Sequence, residues 1–311
     1  MLQPLTLGDK SLFDYYARMT SRKLSSYAFA PIYVWRELFQ FYWTIIDNQL
    51  CVFACQNGDY FMPIMPIGAS PSREAICKSY LFMLETNRAK SIARIENVPE
   101  TSLPFLHDLG FRVFRKETEY LYTTDFLIQL KGNRYKSQRG AYNSFIRNQS
   151  EMTLAPYQSE DYSDCLELHE LWRHQRRKSC YNPLYEGMLS DSEHAHRVGL
   201  LNAEELGLNG IVLRIEGKLS GYSVGYPLNN KIYCIIFEIA DTSQRGIAQF
   251  LFREFCRRKA NYPFISAMGD SGLENLKRVK LSYRPTEQIG SYNAVFPVDD
   301  ASSLRACLNS G

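Results

Sequence analysis

Long hydrophobic runs are missing from this chain. Every apolar stretch is broken within about ten residues, well short of the roughly 20 that a membrane-crossing helix needs. The first residues, MLQPLTLGDK, hold no basic segment followed by an apolar one. No secretory leader is read there, and a cytoplasmic location is expected. Excess charge is missing too. The formal net charge is +3 over 311 residues, too little to mark a nucleic-acid-binding protein by itself. Paired cysteines are also absent. The eight cysteines stand singly, as reduced thiols used as small core residues do. Cys51 and Cys55 are the nearest pair, on one predicted strand. No second Cys or His pair stands at zinc-site spacing, so no metal site is expected.

Aromatic residues are abundant, with 21 Tyr and 18 Phe, which predicts aromatic-rich cores. The length favours two domains, because single cores stop growing efficiently near about 250 to 300 residues. Hydrophobic periodicity and turn residues give the element order. In the first half, helices are predicted near Asp9–Arg18 and after Pro31, where Trp35, Leu38 and Phe39 fall at helical spacing. Strands follow at Tyr42–Ile46, Leu50–Cys55 and Tyr60–Ile67, then a helix from Ser70-Pro71 and a strand at Ser91–Ile95. A short helix ending at Gly110 and strands at Phe111–Phe114 and Glu119–Thr123 close this half. The second half repeats the order. A strand at Met152–Ala155 leads to helices at Asp161–Lys178 and Ser190–Leu206. Three meandering strands cover Leu208–Ile215, Leu219–Tyr226 and Lys231–Ile239. A helix at Ser243–Lys259, a strand at Phe264–Met268, a helix at Leu273–Leu281 and a strand near Tyr292–Phe296 end the chain. Between the halves, Arg134–Asn148 reads as a basic helix, not a linker of Gly, Ser and Pro. An α/β (α+β) protein of two tandem domains is expected, divided as 1–125 and 126–311, with the basic helix in the second.

Three stretches carry candidate chemistry. In IYCIIFEIADTSQRGIAQFLFREF a strand runs through a short loop into a helix opened by Gly246 and Ala248. Small residues at a helix start let backbone N–H groups approach an anion; a plain strand-to-helix turn is the alternative. Glu238 interrupts the apolar strand, and a buried carboxylate there needs a partner or a raised pKa. It is a candidate general base, or half of a structural ion pair. In MGDSGLENLKRVKLSYRP, Lys277 and Lys280 share a helix face and Asp270 stands at an expected cap position. Together they could grip a carboxylate or phosphate, or be a capped surface helix. Gly269-Asp270-Ser271-Gly272 matches the nucleophile loop of trypsin-like proteases only superficially, since no matching histidine motif or all-β pattern accompanies it. Two basic clusters remain: Arg134, Lys136, Arg139 and Arg147 with Tyr135 and Tyr142, and Arg173, His174, Arg176, Arg177 and Lys178. Such clusters bind RNA or phospholipid headgroups, or are solvated helix faces. His194 and His196 have no third ligand and are read as surface residues.

The pieces LKGNRYKSQRGAYNSF, SDSEHAHR, AEELGLNGIVLRIEGKLSGYSVG, FEIADTSQRGIAQFLFREF and GDSGLENLKRVKLSYRP resemble a family of soluble bacterial proteins related to the C-terminal catalytic domain of phosphatidylglycerol lysyltransferase. The resemblance is strongest from about residue 119 onward. It implies two tandem acyl-CoA N-acyltransferase-like domains, each a mixed, mainly antiparallel sheet flanked by helices. The family's last motif falls on Asp270, Leu276-Lys277, Lys280, Ser282-Tyr283 and Pro285, with Lys277 where Arg is usual. Its Arg-Asn pair is Arg139-Gly140 here, and Glu193 and Glu238 keep acidic places. The superfamily's cofactor loop has Ser243 in place of a basic residue.

The resemblance implies transfer of an acyl or aminoacyl group to an amine or hydroxyl. Aminoacyl-tRNA or an acyl-CoA would be the donor, and a small molecule or lipid the acceptor. The residues expected to act are Glu238 and Lys280 in catalysis. Glu193, Asp270, Lys277, Tyr283 and Arg139 would bind substrate, and Gly246 and Ala248 a cofactor. The alternatives are a ligand-binding protein that kept the fold and lost the reaction, and a module that binds tRNA or a membrane surface through the basic helix.

Overall fold

The computed structural model describes residues 1–20, 22–149, 151–179, 183–297 and 304–305. They fall into two compact units. The first holds Met1–Glu119, Gly269–Gly272 and the described residues from Ile289 on; the second holds Tyr120–Met268 and Leu273–Gln288. The linear split at 125/126 puts Gly269–Gly272 and the last strand with the second half, whereas their contacts lie with the first.

In the first unit, β1 (Gln3–Pro4) is followed by α1 (Lys10–Arg18) and the single turn α2 (Ala30–Tyr33). Strands β2 (Gln40–Ile46), β3 (Gln49–Gln56) and β4 (Asp59–Phe61) come next. They pair antiparallel in the order β1-β2-β3-β4. The hairpins close through Asp47-Asn48 and Asn57-Gly58, all four with positive φ, which two-residue turns between right-twisted strands require. The expected strand Tyr60–Ile67 stops at Phe61 because Pro63 and Pro66 cannot donate to a ladder. The expected helix after Pro31 shortens to α2, and Trp35–Phe39 continue as turns. Helix α3 (Arg73–Thr86) starts at Ser72, whose hydroxyl accepts from the Ala75 N–H at 3.0 Å. Strand β5 lies at Ile95–Pro99, beyond its expected place, followed by α4 (Leu103–Asp108) and β6 (Arg112–Thr123). β5 pairs antiparallel with the C-terminal strand Glu287–Val295. Phe53, Ile76, Tyr80, Met83 and Phe111 form the core beneath α3.

The second unit contains α5 (Thr124–Gln129), α6 (Lys136–Asn148), β7 (Met152–Pro156), α7 (Tyr162–Ser179), α8 (Pro183–Leu201) and α9 (Ala203–Leu206). Then come β8 (Asn209–Ile215), β9 (Lys218–Pro227), β10 (Ile232–Ala240), α10 (Ile247–Arg258), β11 (Phe264–Gly269) and α11 (Glu274–Ser282), followed by β12 (Glu287–Val295), whose residues from Ile289 on belong to the first unit. Strands β7 to β10 form an antiparallel meander, and β11 joins β10 in parallel. The basic helix α6 is a packed element. Tyr142 stacks on Phe250 of α10 at 5.5 Å, and Phe145 sits 5.0 Å from the same ring. Among the described residues, no helix is long and apolar enough to cross a membrane.

Strand β9 must pass close to β10. A Cβ at Gly225 would lie 2.1 Å from the Cys234 carbonyl oxygen. Gly225→Ala is expected to destabilise the second unit by about 3 kcal/mol, because backbone cannot yield as a side-chain tip can. Urea unfolding checks this, and a change under about 0.5 kcal/mol would refute so tight an approach.

Candidate functional site

The second unit's candidate site grows from the alternation of β9 and β10. Phe237 pairs with Val224, Glu238 with Ser223 and Ile239 with Tyr222. Phe237 and Tyr222 share the face on which α8 lies, since His196 stacks on Phe237 at 4.0 Å and meets the Tyr222 hydroxyl at 2.7 Å. Glu238 and Ser223 therefore face the other way, toward α10, where a Cβ at Gly221 would touch Leu251 at 3.3 Å. The Ser223 hydroxyl donates to Glu238 Oε2 at 3.3 Å. Burial pushes the Glu238 carboxyl up to about 7, while the Ser223 hydroxyl and the Lys280 cation pull it down.

The pairing of β10 with β11 runs from Ile232↔Phe264 to Cys234↔Ser266, and β10 bulges between Ile235 and Phe237. The next carbonyl on β11, that of Ala267, accepts a hydrogen bond from the Lys280 ammonium. Lys280 thus bridges the place where the strands separate and the electrostatic field at Glu238. Helix α11 is held there by its C-terminal carbonyls, which a helix leaves unpaired. The Tyr122 hydroxyl donates to the Lys280 carbonyl at 2.9 Å, and Gln138 Nε2 to the Ser282 carbonyl at 2.9 Å. Tyr283 follows, edge-on to Phe252 at 4.8 Å. Burial raises its hydroxyl pKa, and nearby Glu238 raises it further. Glu238, Ser223, Lys280 and Tyr283 thus form one polar group within an aromatic wall.

The other expected site residues have partners of their own. Lys277 is exposed and pairs with Glu274 at 3.7 Å. Asp270 belongs to the first unit. It accepts from the Gly272 N–H at 3.1 Å, and the cap position of α11 is held by Leu273. Glu193 pairs with Arg173. Arg139 donates to the Leu130 and Gly132 carbonyls, closing the end of α5. Ala248 is exposed. Gly246, with φ of 91°, faces α6, since a Cβ there would lie 2.4 Å from the Ala141 carbonyl oxygen. The small residue at 246 therefore admits helix α6. The loop before it holds an anion of its own: Asp241 Oδ1 accepts from the Ser243 N–H at 3.0 Å, the Ser243 hydroxyl at 2.7 Å and Gln175 Nε2 at 2.8 Å. In the basic clusters, Arg134 lies over the rings of Phe126 and Tyr135. Arg173 and Arg177 are paired with carboxylates, and the Lys178 side chain lies outside the described residues.

Sequence reasoning missed a buried histidine pair. His196 was expected at the surface but is 5% exposed, because the α8 face carrying it packs on β9 and β10. His169 of α7 is equally buried. Its ring stands 4.5 Å from that of His196, and its Nε2 meets the Ser192 hydroxyl at 3.3 Å. Burial holds His169 down to about 4 and His196 well below its ordinary value. The available signal was the place of His169 between the apolar residues Leu168 and Trp172 on α7.

An antiparallel meander, a parallel strand beyond it and a helix crossing between them make an N-acyltransferase-like fold, and solved structures share it. A conserved protein of unknown function from Bacteroides thetaiotaomicron matches with TM-score 0.83 and 23% identity, over 95% of this chain and 99% of its own. L-PGS from Bacillus licheniformis matches with TM-score 0.64 and 14% identity, over 96% of each chain. A tandem GNAT protein from the clavulanic acid biosynthesis pathway matches with TM-score 0.50 and 9% identity, over 94% of this chain and 97% of its own. The fold is that of tandem N-acyltransferase-like domains. The family described as phosphatidylglycerol lysyltransferase, C-terminal, matches residues 17–295, and the chain belongs to it. No curated protein matches the sequence.

Proposed function

We propose that the second unit transfers an acyl or aminoacyl group to an amine or hydroxyl acceptor, with Glu238 as the general base. The observation that carries this reading is the Glu238 carboxyl, raised to about 7 at the place where β10 and β11 part. A base poised near neutrality takes a proton efficiently and releases it again. As the acceptor's nitrogen or oxygen bonds to the carbonyl carbon, its proton passes to Glu238 and the bond to the donor's leaving oxygen or sulfur breaks. Lys280, a cation with three N–H donors, stabilises the negative charge that develops on the carbonyl or leaving atom. Family membership and fold support the reaction class.

The donor follows from the loop. Asp241 fills the turn where an acyl-CoA pyrophosphate would lie, and Ser243 brings no positive charge. Aminoacyl-tRNA is therefore the favoured donor, and acetyl-CoA is expected to bind more weakly than about millimolar, beyond the range of ordinary cofactor affinities. Calorimetry giving micromolar acetyl-CoA affinity would reverse that choice. The same occupied loop favours a second reading, a ligand-binding protein without turnover. Single-turnover assays with charged tRNA and with acyl-CoAs, against amine and alcohol acceptors, separate the two. Retained binding with no product formed would support the second.

Lys280→Ala is expected to abolish turnover. It should also cost about 1.5 to 3 kcal/mol, because the Ala267 carbonyl loses a charge-assisted hydrogen bond. Lys280→Arg should recover most of the stability. Wild-type turnover in Lys280→Ala would remove Lys280 from the mechanism.

A further inference from the structure

Helix α11 is an unusual carrier for a catalytic side chain, because none of its residues is fully buried. Burial of an apolar face, the common means of fixing a helix, is therefore not what places it. Its first half stands in solvent, with Glu274, Asn275, Lys277 and Arg278 exposed. Its second half is tied down by polar contacts. The Tyr122 hydroxyl donates to the Lys280 carbonyl and Gln138 Nε2 to the Ser282 carbonyl, each at 2.9 Å. Just beyond, the Thr286 N–H donates to the Leu121 carbonyl at 2.8 Å, and the Thr123 N–H to the Thr286 hydroxyl at 3.0 Å. The chain leaving α11 is thus fastened to the end of β6, the strand that carries Tyr122.

Both donors are firmly placed, since Tyr122 and Gln138 are buried. Burial above all keeps the Tyr122 hydroxyl protonated far above its ordinary range, so it donates at every pH where Glu238 titrates. Tyr122 and Tyr283 meet the Phe252 ring edge-on, at 6.5 and 4.8 Å, and α10 thereby backs the clamp. The geometry separates the two lysines of α11. Lys277 lies in the exposed half and pairs with Glu274. Lys280 lies in the clamped half, where its ammonium reaches the Ala267 carbonyl of β11 and acts on the charge of Glu238. An ammonium on a flexible four-carbon stem is placed no better than the backbone that bears it. The last carbonyls of a helix have no partner within it, so without these donors the turn bearing Lys280 would fray.

We propose that Tyr122 and Gln138 are positioning residues, which hold the last turn of α11 so that the Lys280 ammonium stands at the parting of β10 and β11 within reach of Glu238. This rests on the reading of Glu238 and Lys280 as the transfer site. Both residues act through Lys280 rather than on the reacting atoms. Losing either donor lets the ammonium drift from the carboxylate, and the ionised form of Glu238 loses support.

The test follows the ionisation of Glu238 in the whole chain, without substrate. Urea unfolding compares each protein with its Glu238→Gln counterpart over a series of pH values. The difference in stability grows above pH 4.5 and levels off once the folded carboxyl has ionised, at about 7 in the parent. Tyr122→Phe and Gln138→Met should each move that levelling-off point up by about half a pH unit, a fraction of what a nearby opposite charge supplies. Arg278→Ala, which removes another cation from the exposed half of α11, should leave it in place. In a Lys280→Met background neither substitution should move it further. Gln138→Met also removes a buried amide oxygen that has no partner, so the chain is expected to stay folded. An unmoved point in both Tyr122→Phe and Gln138→Met overturns the proposal. So does a shift of the same size in the Lys280→Met background. The readout needs no product, so a missing transfer reaction and a missing clamp are told apart.

Discussion

Glu238→Gln is expected to lower turnover by about 10²- to 10⁴-fold, the contribution of a positioned general base, and to stabilise the protein at alkaline pH. The two effects have one cause. Burial raises the folded-state pKa of this carboxyl from 4.5 to about 7, so the native state holds the proton more tightly than the unfolded chain does. The stability this supplies is fully present below pH 4.5 and is lost as pH rises through 7. Above that, keeping an ionised carboxylate in place costs about 3 kcal/mol, since each pKa unit is worth about 1.4 kcal/mol. Gln keeps an oxygen for the Ser223 hydroxyl and cannot ionise. Relative to wild type, the variant should gain about 3 kcal/mol between pH 4.5 and 8.5 in urea unfolding. Its kcat/KM should also lose the rising limb centred near pH 7. If the stability difference does not change with pH, the carboxyl is not raised and has no special fitness as a base.

Much of the architecture was legible because it follows from local chemistry. Three of the hairpin turns stood out as Asp47-Asn48, Asn57-Gly58 and Glu216-Gly217, whose positive φ values are what such turns require. The amphipathic helix α10 and the end of α9 at Gly207, with φ of 69°, were equally plain. The misplacements have physical reasons. Pro63 and Pro66 ended β4 early, and the first unit recruits the last strand, a pairing distant in sequence that no local pattern reveals. In the site, Glu238 stood out as a charge in an apolar strand, and its coupling to Lys280 was expected. What small residues at a helix start admit was not legible. Gly246 is as necessary for α6 as for a ligand, and the sequence does not distinguish a backbone neighbour from a phosphate. Histidines were the clearest loss, because the burial of His196 depends on which face of α8 meets the sheet.

The two faces of the β9–β10 pair should oppose each other in acid, and their separation is the second large effect. On the α8 face, His169 is neutral in the folded protein, with its pKa lowered from 6.5 to about 4, chiefly by burial. Arg173 lowers it further, while Glu193 and Glu170 act in the opposite sense without overcoming burial. The unfolded chain takes up this proton near pH 6.5 and the native state does not. The stability it supplies is therefore present above pH 6.5 and lost as pH falls toward 4, by about 3 kcal/mol. His196 acts in the same direction. On the α10 face, Glu238 gains stability over nearly the same interval as pH falls from 7 to 4.5. Two histidine terms thus oppose one carboxyl, and wild type should lose stability as pH falls from 7 to 5, less steeply than it would without Glu238. His169→Gln keeps a partner for Ser192 and leaves His196 against Glu238, so it should show the shallowest profile of the four. Glu238→Gln should lose stability steeply over the same range, and the double variant should follow the remaining His196 term alone. Urea unfolding of the four proteins at pH 7, 6 and 5 measures all three slopes. Parallel profiles for the two single variants would show that neither group is displaced from its ordinary titration, and that the charge at Glu238 is set by solvent rather than by the fold.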